Sequence, residues 1–226
     1  MKRAGVSSAV MKGLELKGIL KVYKQEVSRL DAVSLETGKI PTLSEKQEQA
    51  LQEIETHFTQ KNTVLLHGIT SSGKTEVYIK LIEAALENGG QTLYLLPEIA
   101  LTTQIISRLK KAFGNQVGVY HSKLNNNERV ETWQRSLSGE YRIVLGARSA
   151  LLLPFKSLEL IIVDEEHDSS FKQFDPAPRY HARDAAIYLA SLYKAKVLLG
   201  TATPSIESYH NAMTSRYGLV TLTERY

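Results

Sequence analysis

The sequence predicts an α/β fold in which a mainly parallel sheet is flanked by helices. From residue 43 onward, short apolar segments that look like buried strands alternate with longer amphipathic segments. Strands buried on both faces have this continuous apolar pattern, and helical crossovers join them in parallel sheets. No internal repeat and no low-complexity segment interrupts the alternation. A single layered α/β domain therefore accounts for most of the chain.

The alternation begins with a helix over LSEKQEQALQEIETHF, where Ser44 is the expected N-cap. Gln47 occupies the third helical position, so the two residues form a capping-box pattern. Five further helices are predicted near residues 74–88, 98–112, 127–138, 181–193 and 205–213. Six strands are predicted at residues 63–67, 92–96, 116–120, 142–145, 160–164 and 196–200, and the chain is expected to stop after the sixth.

The first 40 residues have a different pattern. A short helix should begin near Ser7 or Ser8 and end at Gly18, and the segment ILKVYKQEV then alternates as a strand does. Residues 31–42 look like a linker, with Gly38 and Pro41 as breaks. A helix followed by a β-ribbon is similar to the end of a winged helix, although too short for a complete one. Residues 1–40 and 41–226 are therefore expected to be separate domains.

Charge and composition favour a polyanionic partner and argue against membrane and cysteine-dependent functions. Residues 1–30 contain seven Lys and Arg but only two Glu, whereas the whole chain carries +4. A basic end favours a polyanionic partner, and a soluble cationic tail is the alternative. No apolar run reaches the roughly 18–20 residues that span a bilayer, so no membrane partner is expected. The absence of cysteine excludes disulfides and thiolate metal sites in this sequence and is compatible with a cytoplasmic protein.

The segment GITSSGKT, residues 68–75, matches the phosphate-loop pattern G-x-x-x-x-G-K-[ST]. A predicted strand precedes it and a predicted helix follows, as the pattern requires; a chance glycine-rich turn is the alternative. The glycines let backbone N–H groups converge on a phosphate, Lys74 reaches the outer phosphates, and Thr75 binds Mg²⁺. The expected nucleotide-binding residues of this segment are Gly68, Thr70, Ser71, Ser72, Gly73, Lys74, Thr75 and Glu76.

A second motif, DEEH, follows the predicted strand 160–164. Asp164 is expected to hold the magnesium ion through its water shell, and Glu165 to orient the attacking water. Glu166 is either structural or positions the loop, and His167 is a candidate for coupling; exposed loop charges are the alternative for all four. The expected catalytic residues are Lys74, Asp164, Glu165 and His167. Together the two motifs indicate a P-loop NTPase (RecA-like) domain.

Seven segments, GITSSGKTEVY, LLPEIALTTQ, YHSKLNNNERVETW, VLGARSALLLPF, VDEEHDSSFKQ, RYHARDAA and LGTATPSIES, resemble the PriA family (primosomal protein N′) of superfamily 2 helicases. They cover nearly all of residues 63–208 in the family's order. The pattern HS-x-L-x-x-x-ER-x-x-x-W is more specific than the phosphate loop. Residues 4–29 are also similar to the end of that family's winged-helix domain.

The resemblance implies an ATP-dependent 3′–5′ DNA helicase that acts in replication restart and primosome assembly. It implies ATP and Mg²⁺ as cofactors and forked or single-stranded DNA as partner. Primosome and single-strand-binding proteins are expected as partners of the full-length protein. The second motor lobe, with an arginine finger and zinc-binding cysteines, is expected only in a missing C-terminal part. The fragment should therefore bind ATP–Mg²⁺ but hydrolyse it poorly.

The resemblance also implies roles for individual residues. Gln47 resembles the family's adenine-reading glutamine, and its capping-box role is the alternative. Pro97, Glu98, Thr102 and Gln104 belong to a segment that contacts the DNA backbone. Residues 168–181 resemble an aromatic-rich loop in which rings stack on bases and cations meet phosphates, with core packing of the rings as the alternative. The implied DNA-contacting and coupling residues are Arg148, Phe171, Lys172, Phe174, Arg179, Tyr180, His181, Thr201 and Thr203.

Two other functions remain open. Another superfamily 2 motor, such as a RecQ-like or restriction-type translocase, would also have a phosphate loop and an acidic motif. A nucleic-acid-binding module with a vestigial ATP site belongs to a different class. A requirement for Lys74 in ATP binding separates the vestigial site from the motors, because a vestigial site has no lysine-dependent affinity.

Overall fold

The computed structural model describes residues 8–19, residue 21 and residues 42–224. The chain divides into two units, residues 1–32 and 33–226. In the first, helix α1 covers Ser8–Leu16, and Gly18 has the left-handed φ of 68° that ends a helix. The predicted helix is thus confirmed. The strand-like segment after it and the linker lie almost wholly outside the described residues.

The second unit contains a seven-stranded sheet in which every described strand pairing is parallel. The strand order is β3-β4-β2-β5-β6-β1-β7. This confirms the α/β fold with a mainly parallel sheet. The strands are β1 Thr63–Gly68, β2 Gln91–Leu95, β3 Val117–Tyr120, β4 Ile143–Gly146, β5 Leu158–Asp164, β6 Lys196–Thr201 and β7 Gly218–Leu222.

Helices pack against the sheet and connect its strands. They are α2 Glu45–Gln60, α3 Lys74–Glu87, α4 Thr103–Phe113, α5 Asn126–Ser138, α6 Ala182–Tyr193 and α7 Ile206–Met213. Short 3₁₀ turns cover Glu98–Ala100, Gly114–Gln116, Arg148–Leu152 and Ser169–Phe171. None of the helices in the described ranges has the length and hydropathy to span a membrane.

Two predicted boundaries were wrong. The helix expected from residue 98 begins at Thr103, because Thr102 is its N-cap and accepts a hydrogen bond from the Ile105 N–H group. The chain also does not stop after the sixth strand, since β7 pairs with β1 in parallel. Its residues Gly218–Leu222 alternate between buried positions and partly or fully exposed ones, as an edge strand does.

The sheet core fixes where the functional segments meet. Leu65, Leu66, Leu93, Ile161 and Leu198 are fully buried, so the central strands contact packing partners on both faces. Strands β5, β6 and β1 are neighbours and parallel, so their carboxyl ends lie at one edge of the sheet. The phosphate loop, the DEEH motif and the segment after β6 therefore converge there.

Candidate nucleotide-binding and coupling site

The phosphate loop joins β1 to α3 in a tightly folded turn. Gly73 is the N-cap of α3 with a φ of 80°, and a Cβ atom there would collide with the Gln47 amide. Ser71 has a positive φ of 64° as well. The Lys74 ammonium group donates to the carbonyls of Gly68 at 2.8 Å and Ile69 at 3.4 Å. The lysine thus folds over the loop from the first turn of α3.

The loop has the donors that a polyphosphate requires. The Ser72 hydroxyl is buried and has no hydrogen-bond partner in the described part of the protein. A Cβ atom at Gly68 would lie 2.9 Å from that hydroxyl, so glycine keeps the space open. Thr75 is half-buried in the first turn of α3, while Thr70 and Ser71 are exposed. The loop residues, the ammonium of Lys74 and the N-terminus of α3 therefore fit a nucleotide phosphate with its magnesium ion.

Asp164 ends β5 and is held by three donors. Its Oδ1 accepts from the Tyr78 hydroxyl at 2.9 Å and from the Glu165 N–H group at 3.1 Å. Its Oδ2 accepts from the Tyr94 hydroxyl at 3.1 Å. Burial first, then the charge of Glu165, raises the pKa of Asp164 to about 6, although these hydroxyls and Lys74 act in the opposite sense. Neither tyrosine was singled out from the sequence.

Glu165 leaves the strand in an unusual conformation. Its φ is 50°, in the left-handed region that costs a non-glycine residue about 1–2 kcal/mol. Its side chain is 38% exposed, and a carboxylate oxygen lies 3.6 Å from Nδ1 of His167. Such strain is typical of functional sites, where the surrounding structure holds it. The Glu165 side chain is thus partly exposed, whereas that of its neighbour Glu166 is buried.

His167 connects the acidic strand end to the segment after β6. Its Nδ1 lies 2.7 Å from the Thr201 hydroxyl, and its Nε2 lies 3.2 Å from the Thr203 hydroxyl. The Thr203 N–H group donates to the Thr201 hydroxyl at 3.0 Å. The structure therefore brings both predicted threonines to the DEEH motif, with the imidazole as their contact.

Glu166 is the structural member of the motif. It is fully buried, and its Oε2 accepts from Arg183 at 3.0 Å, from the Ser205 hydroxyl at 3.0 Å and from the Ser208 hydroxyl at 2.8 Å. Its Oε1 accepts from the Ser205 N–H group at 2.7 Å. No partner for this carboxylate was predicted; a buried charge requires a cation, and RYHARDAA contains two arginines, Arg179 and Arg183. This cluster ties α6 and the start of α7 to the end of β5.

Two predicted nucleotide contacts are engaged elsewhere. Gln47 completes the capping box, accepting from the Ser44 N–H group at 2.8 Å, and its amide donates to the Gly73 carbonyl at 3.4 Å. The capping alternative is confirmed, and adenine binding stays a prediction. Glu76 is buried and forms an ion pair with Arg108 of α4. Its carboxylate neutralises that guanidinium, and a contact of Glu76 with the nucleotide stays a prediction.

The aromatic loop after DEEH, residues 168–181, is held by hydrogen bonds between its two ends. Residues Lys172 and His181 form an antiparallel bridge, and the Lys172 ammonium donates to the Arg179 carbonyl at 2.8 Å. Arg148 donates to the carbonyls of Ser170 at 3.2 Å and Lys172 at 2.6 Å. Arg148 therefore anchors the loop, although it was predicted as a contact for DNA.

The rings of this loop divide between core and surface. Phe171 has no exposed surface and lies at the end of the turn Ser169–Phe171, as the core-packing alternative predicts. Stacking of Phe171 on bases stays a prediction. Phe174, by contrast, is 69% exposed, and Arg179 is also exposed. Tyr180 and His181 are half-buried. The loop thus presents one aromatic ring and one cation at its tip.

The segment before α4 is also engaged internally. Thr102 caps the helix, and the Glu98 carboxylate accepts from the Ser122 N–H group at 3.4 Å. This second contact links LLPEIALTTQ to the HS-x-L segment, whose Arg129 donates to the Ser122 carbonyl at 2.8 Å. A role of these residues on the DNA backbone stays a prediction.

The sequence is similar along its length to curated bacterial proteins. A protein of Bacillus subtilis named "Replication restart protein PriA" is 44% identical over 99% of this chain and 28% of its own length. The protein of the same name from Chlamydia pneumoniae is 43% identical over 100% of this chain and 31% of its own length. The resemblance to PriA is confirmed, and the chain spans about three tenths of these relatives.

Solved structures share the fold. A structure titled "Structure of RecG bound to three-way DNA junction" matches with a TM-score of 0.60 and 24% identity over 82% of this chain and 24% of the other. The DNA-bound helicase MrfA matches with a TM-score of 0.57 and 17% identity over 81% of this chain and 27% of the other. Residues 44–212 match the DEAD/DEAH box helicase family, and this match covers three quarters of the sequence. With its phosphate loop and DEEH motif at one sheet edge, this chain belongs to the DEAD/DEAH box helicase family.

Proposed function

We propose that residues 41–226 are the ATP-binding motor lobe of a DNA helicase that acts in replication restart and moves 3′ to 5′ along forked or single-stranded DNA. The name of the relatives supports this assignment, since the similarity covers the whole chain. Residues 1–40 are the end of a winged-helix domain with its linker. Primosome and single-strand-binding proteins are the partners of the full-length protein, which works in the cytoplasm.

One observation carries the proposal: the Asp164 carboxylate accepts a hydrogen bond at 2.9 Å from Tyr78, which lies one turn after the phosphate-loop residue Lys74 on α3. When bound, ATP with Mg²⁺ supplies the transferable phosphoryl group and the cation that neutralises its charge. Lys74 and the loop N–H groups hold the phosphates, and Thr75 with Asp164 holds the metal. Glu165, strained and half-exposed, orients the attacking water.

DNA contact is transmitted to this site through the hydrogen-bonded segments around it. Phe174 and Arg179 at the tip of the aromatic loop meet a base and a phosphate. The loop begins directly after His167, whose ring contacts Thr201 and Thr203 on the next segment. A shift of the loop therefore changes the position of the carboxylates through residues that are already in contact.

The isolated lobe binds ATP but turns it over slowly. An arginine finger contributed from outside the phosphate-loop domain is worth about 10³–10⁵ in rate in related phosphoryl-transfer enzymes. The full motor obtains such a group, and its zinc site, from the part of the relatives that this chain does not span. DNA-stimulated turnover by the 226-residue chain at the rate of an intact helicase would contradict this view.

ATP titration of the wild type and Lys74→Ala tests the assignment. With a fluorescent ATP analogue and Mg²⁺, the Lys74→Ala variant should bind at least about tenfold more weakly, because it loses a charged hydrogen bond to phosphate. Lys80→Ala is the matched control, since Lys80 lies on the same helix and pairs with Glu83 at 3.0 Å. Equal affinities of wild type and Lys74→Ala would identify a vestigial site and reject the motor.

A further inference from the structure

We propose that Tyr78 and Tyr94 are positioning residues that fix the carboxylate of Asp164 and leave Oδ2 as its oxygen with an unused acceptor position. This inference rests on the proposed function, in which Asp164 holds a nucleotide-bound magnesium ion. It adds two residues to the site that lie outside the phosphate loop and the DEEH motif. Both are fully buried and donate to Asp164, so their effect on the site is assigned to that carboxylate.

Three separate elements bring these groups together. Tyr78 lies on α3, one turn after Lys74, while Tyr94 lies on β2 and Asp164 ends β5. Both tyrosines are fully buried. Their rings meet edge to face, with centroids 5.6 Å apart and planes at 84°. Each ring therefore restricts the other, and the two hydroxyls reach one carboxylate from a helix and a strand.

The hydrogen bonds to the two carboxylate oxygens are unequal. A carboxylate oxygen accepts about two hydrogen bonds. Oδ1 already accepts two, from the Tyr78 hydroxyl and the Glu165 N–H group. Oδ2 accepts one, from the Tyr94 hydroxyl. The contact between Asp164 and a magnesium ion or its water shell is thus assigned to Oδ2.

Gly200 on β6 supports this arrangement independently. A Cβ atom at position 200 would collide with the Tyr78 hydroxyl and would lie 3.4 Å from Oδ1 of Asp164. Glycine inside a strand weakens it, and is typical of places where another group approaches closely. Position 200 is paired with Asp164 in the sheet. The absence of a side chain there is what admits the phenol.

If Tyr78 and Tyr94 were only core residues, their removal would have a different effect on ATP binding than if they position Asp164. Buried phenols need a hydrogen-bond partner, so two core tyrosines would use any acceptor. Phenylalanine keeps the ring and its packing but lacks the hydroxyl. A core role then changes stability without changing how much Mg²⁺ strengthens ATP binding. A positioning role reduces that magnesium-dependent gain.

The experiment measures the dissociation constant for ATP with Mg²⁺ and with EDTA in Tyr78→Phe and Tyr94→Phe. The gain from magnesium should fall by about threefold to tenfold in each variant, and affinity in EDTA should stay within about twofold. Tyr141→Phe is the matched control, because Tyr141 is also buried and its hydroxyl accepts a hydrogen bond from Arg135 outside the site. Its magnesium gain should equal that of the wild type.

The outcomes separate this inference from the proposed function. If Mg²⁺ increases ATP affinity as much in both phenylalanine variants as in the wild type, the inference is overturned and the proposed function is not. A wild type without any magnesium-dependent, Lys74-dependent binding overturns the proposed function and the inference with it. A double-mutant cycle of Tyr78→Phe with Asp164→Asn tests the contact without nucleotide. If the double variant loses as much free energy of unfolding as the two single variants together, the two side chains are not coupled. The hydrogen bond from Tyr78 then does not hold Asp164.

Discussion

Removal of the cation that pairs with Glu166 tests the organisation of the site. The Arg183 side chain is 10% exposed, and its guanidinium lies 3.0 Å from a carboxylate that has no exposed surface. Removing one partner of a buried ion pair costs about 3–5 kcal/mol, because the other charge stays buried and uncompensated. Ser205 and Ser208 continue to donate to Glu166. Arg183→Met should therefore lower the free energy of unfolding by about 3 kcal/mol, at the lower end of that range.

Urea denaturation followed by circular dichroism measures this change. Lys80→Met is the control: Lys80 pairs with Glu83 at 3.0 Å on a partly exposed surface, where such pairs contribute about 0–1 kcal/mol. Adding Glu166→Gln to Arg183→Met should recover part of the loss, since the amide carries no buried charge. A loss below about 1 kcal/mol for Arg183→Met would refute the view that this pair holds the site together.

Three further predictions concern the aromatic loop, the titration of Asp164 and the contacts of Arg148. Phe171→Ala should destabilise the protein by about 3–5 kcal/mol in urea, whereas Phe174→Ala should cost under about 0.5 kcal/mol yet weaken single-stranded DNA binding measured by fluorescence anisotropy. The pKa of Asp164 in the folded protein is about 6 against an ordinary 3.8, so its protonated form favours folding below pH 3.8 and that benefit disappears as pH rises through 6. Relative to Asp164→Asn, the nucleotide-free wild type should thus lose about 2 kcal/mol of stability between pH 4 and 7, and a constant difference would contradict this. Arg148→Ala removes the two hydrogen bonds to the loop backbone, so limited proteolysis should cut residues 168–181 faster than in wild type; an unchanged rate would argue against the anchor.

The phosphate loop and the DEEH motif were predictable because each is contiguous and follows a strand. A strand, a glycine-rich turn and a helix lie next to one another in the sequence, so local pattern is enough. The parallel sheet then forces the ends of β1 and β5 to one edge. The position of Thr201 and Thr203 near these motifs was predictable for the same reason, because β6, which leads into them, lies between β5 and β1.

The contacts of Glu166 and Asp164 were not predictable in the same way. Arg183 is 17 residues from Glu166, and the sequence contains many other cations that could have paired with it. Tyr78 and Tyr94 fit an ordinary apolar helix and strand, and only the packed sheet brings their hydroxyls to one carboxylate. Phe171 and Phe174 are three residues apart in one loop, and the turn geometry, not composition, decides which ring is buried.

The imidazole of His167 lies between two hydroxyls, and a hydroxyl both donates and accepts. Neither hydroxyl therefore ties its nitrogen to one tautomer, while the Glu165 carboxylate 3.6 Å from Nδ1 favours a proton on that nitrogen. The proton can reside on either nitrogen while every heavy atom keeps its place, with Thr201 and Thr203 rotating their hydrogens to match. The direction of the hydrogen bonds between His167 and the two threonines can consequently reverse while the backbone keeps its position.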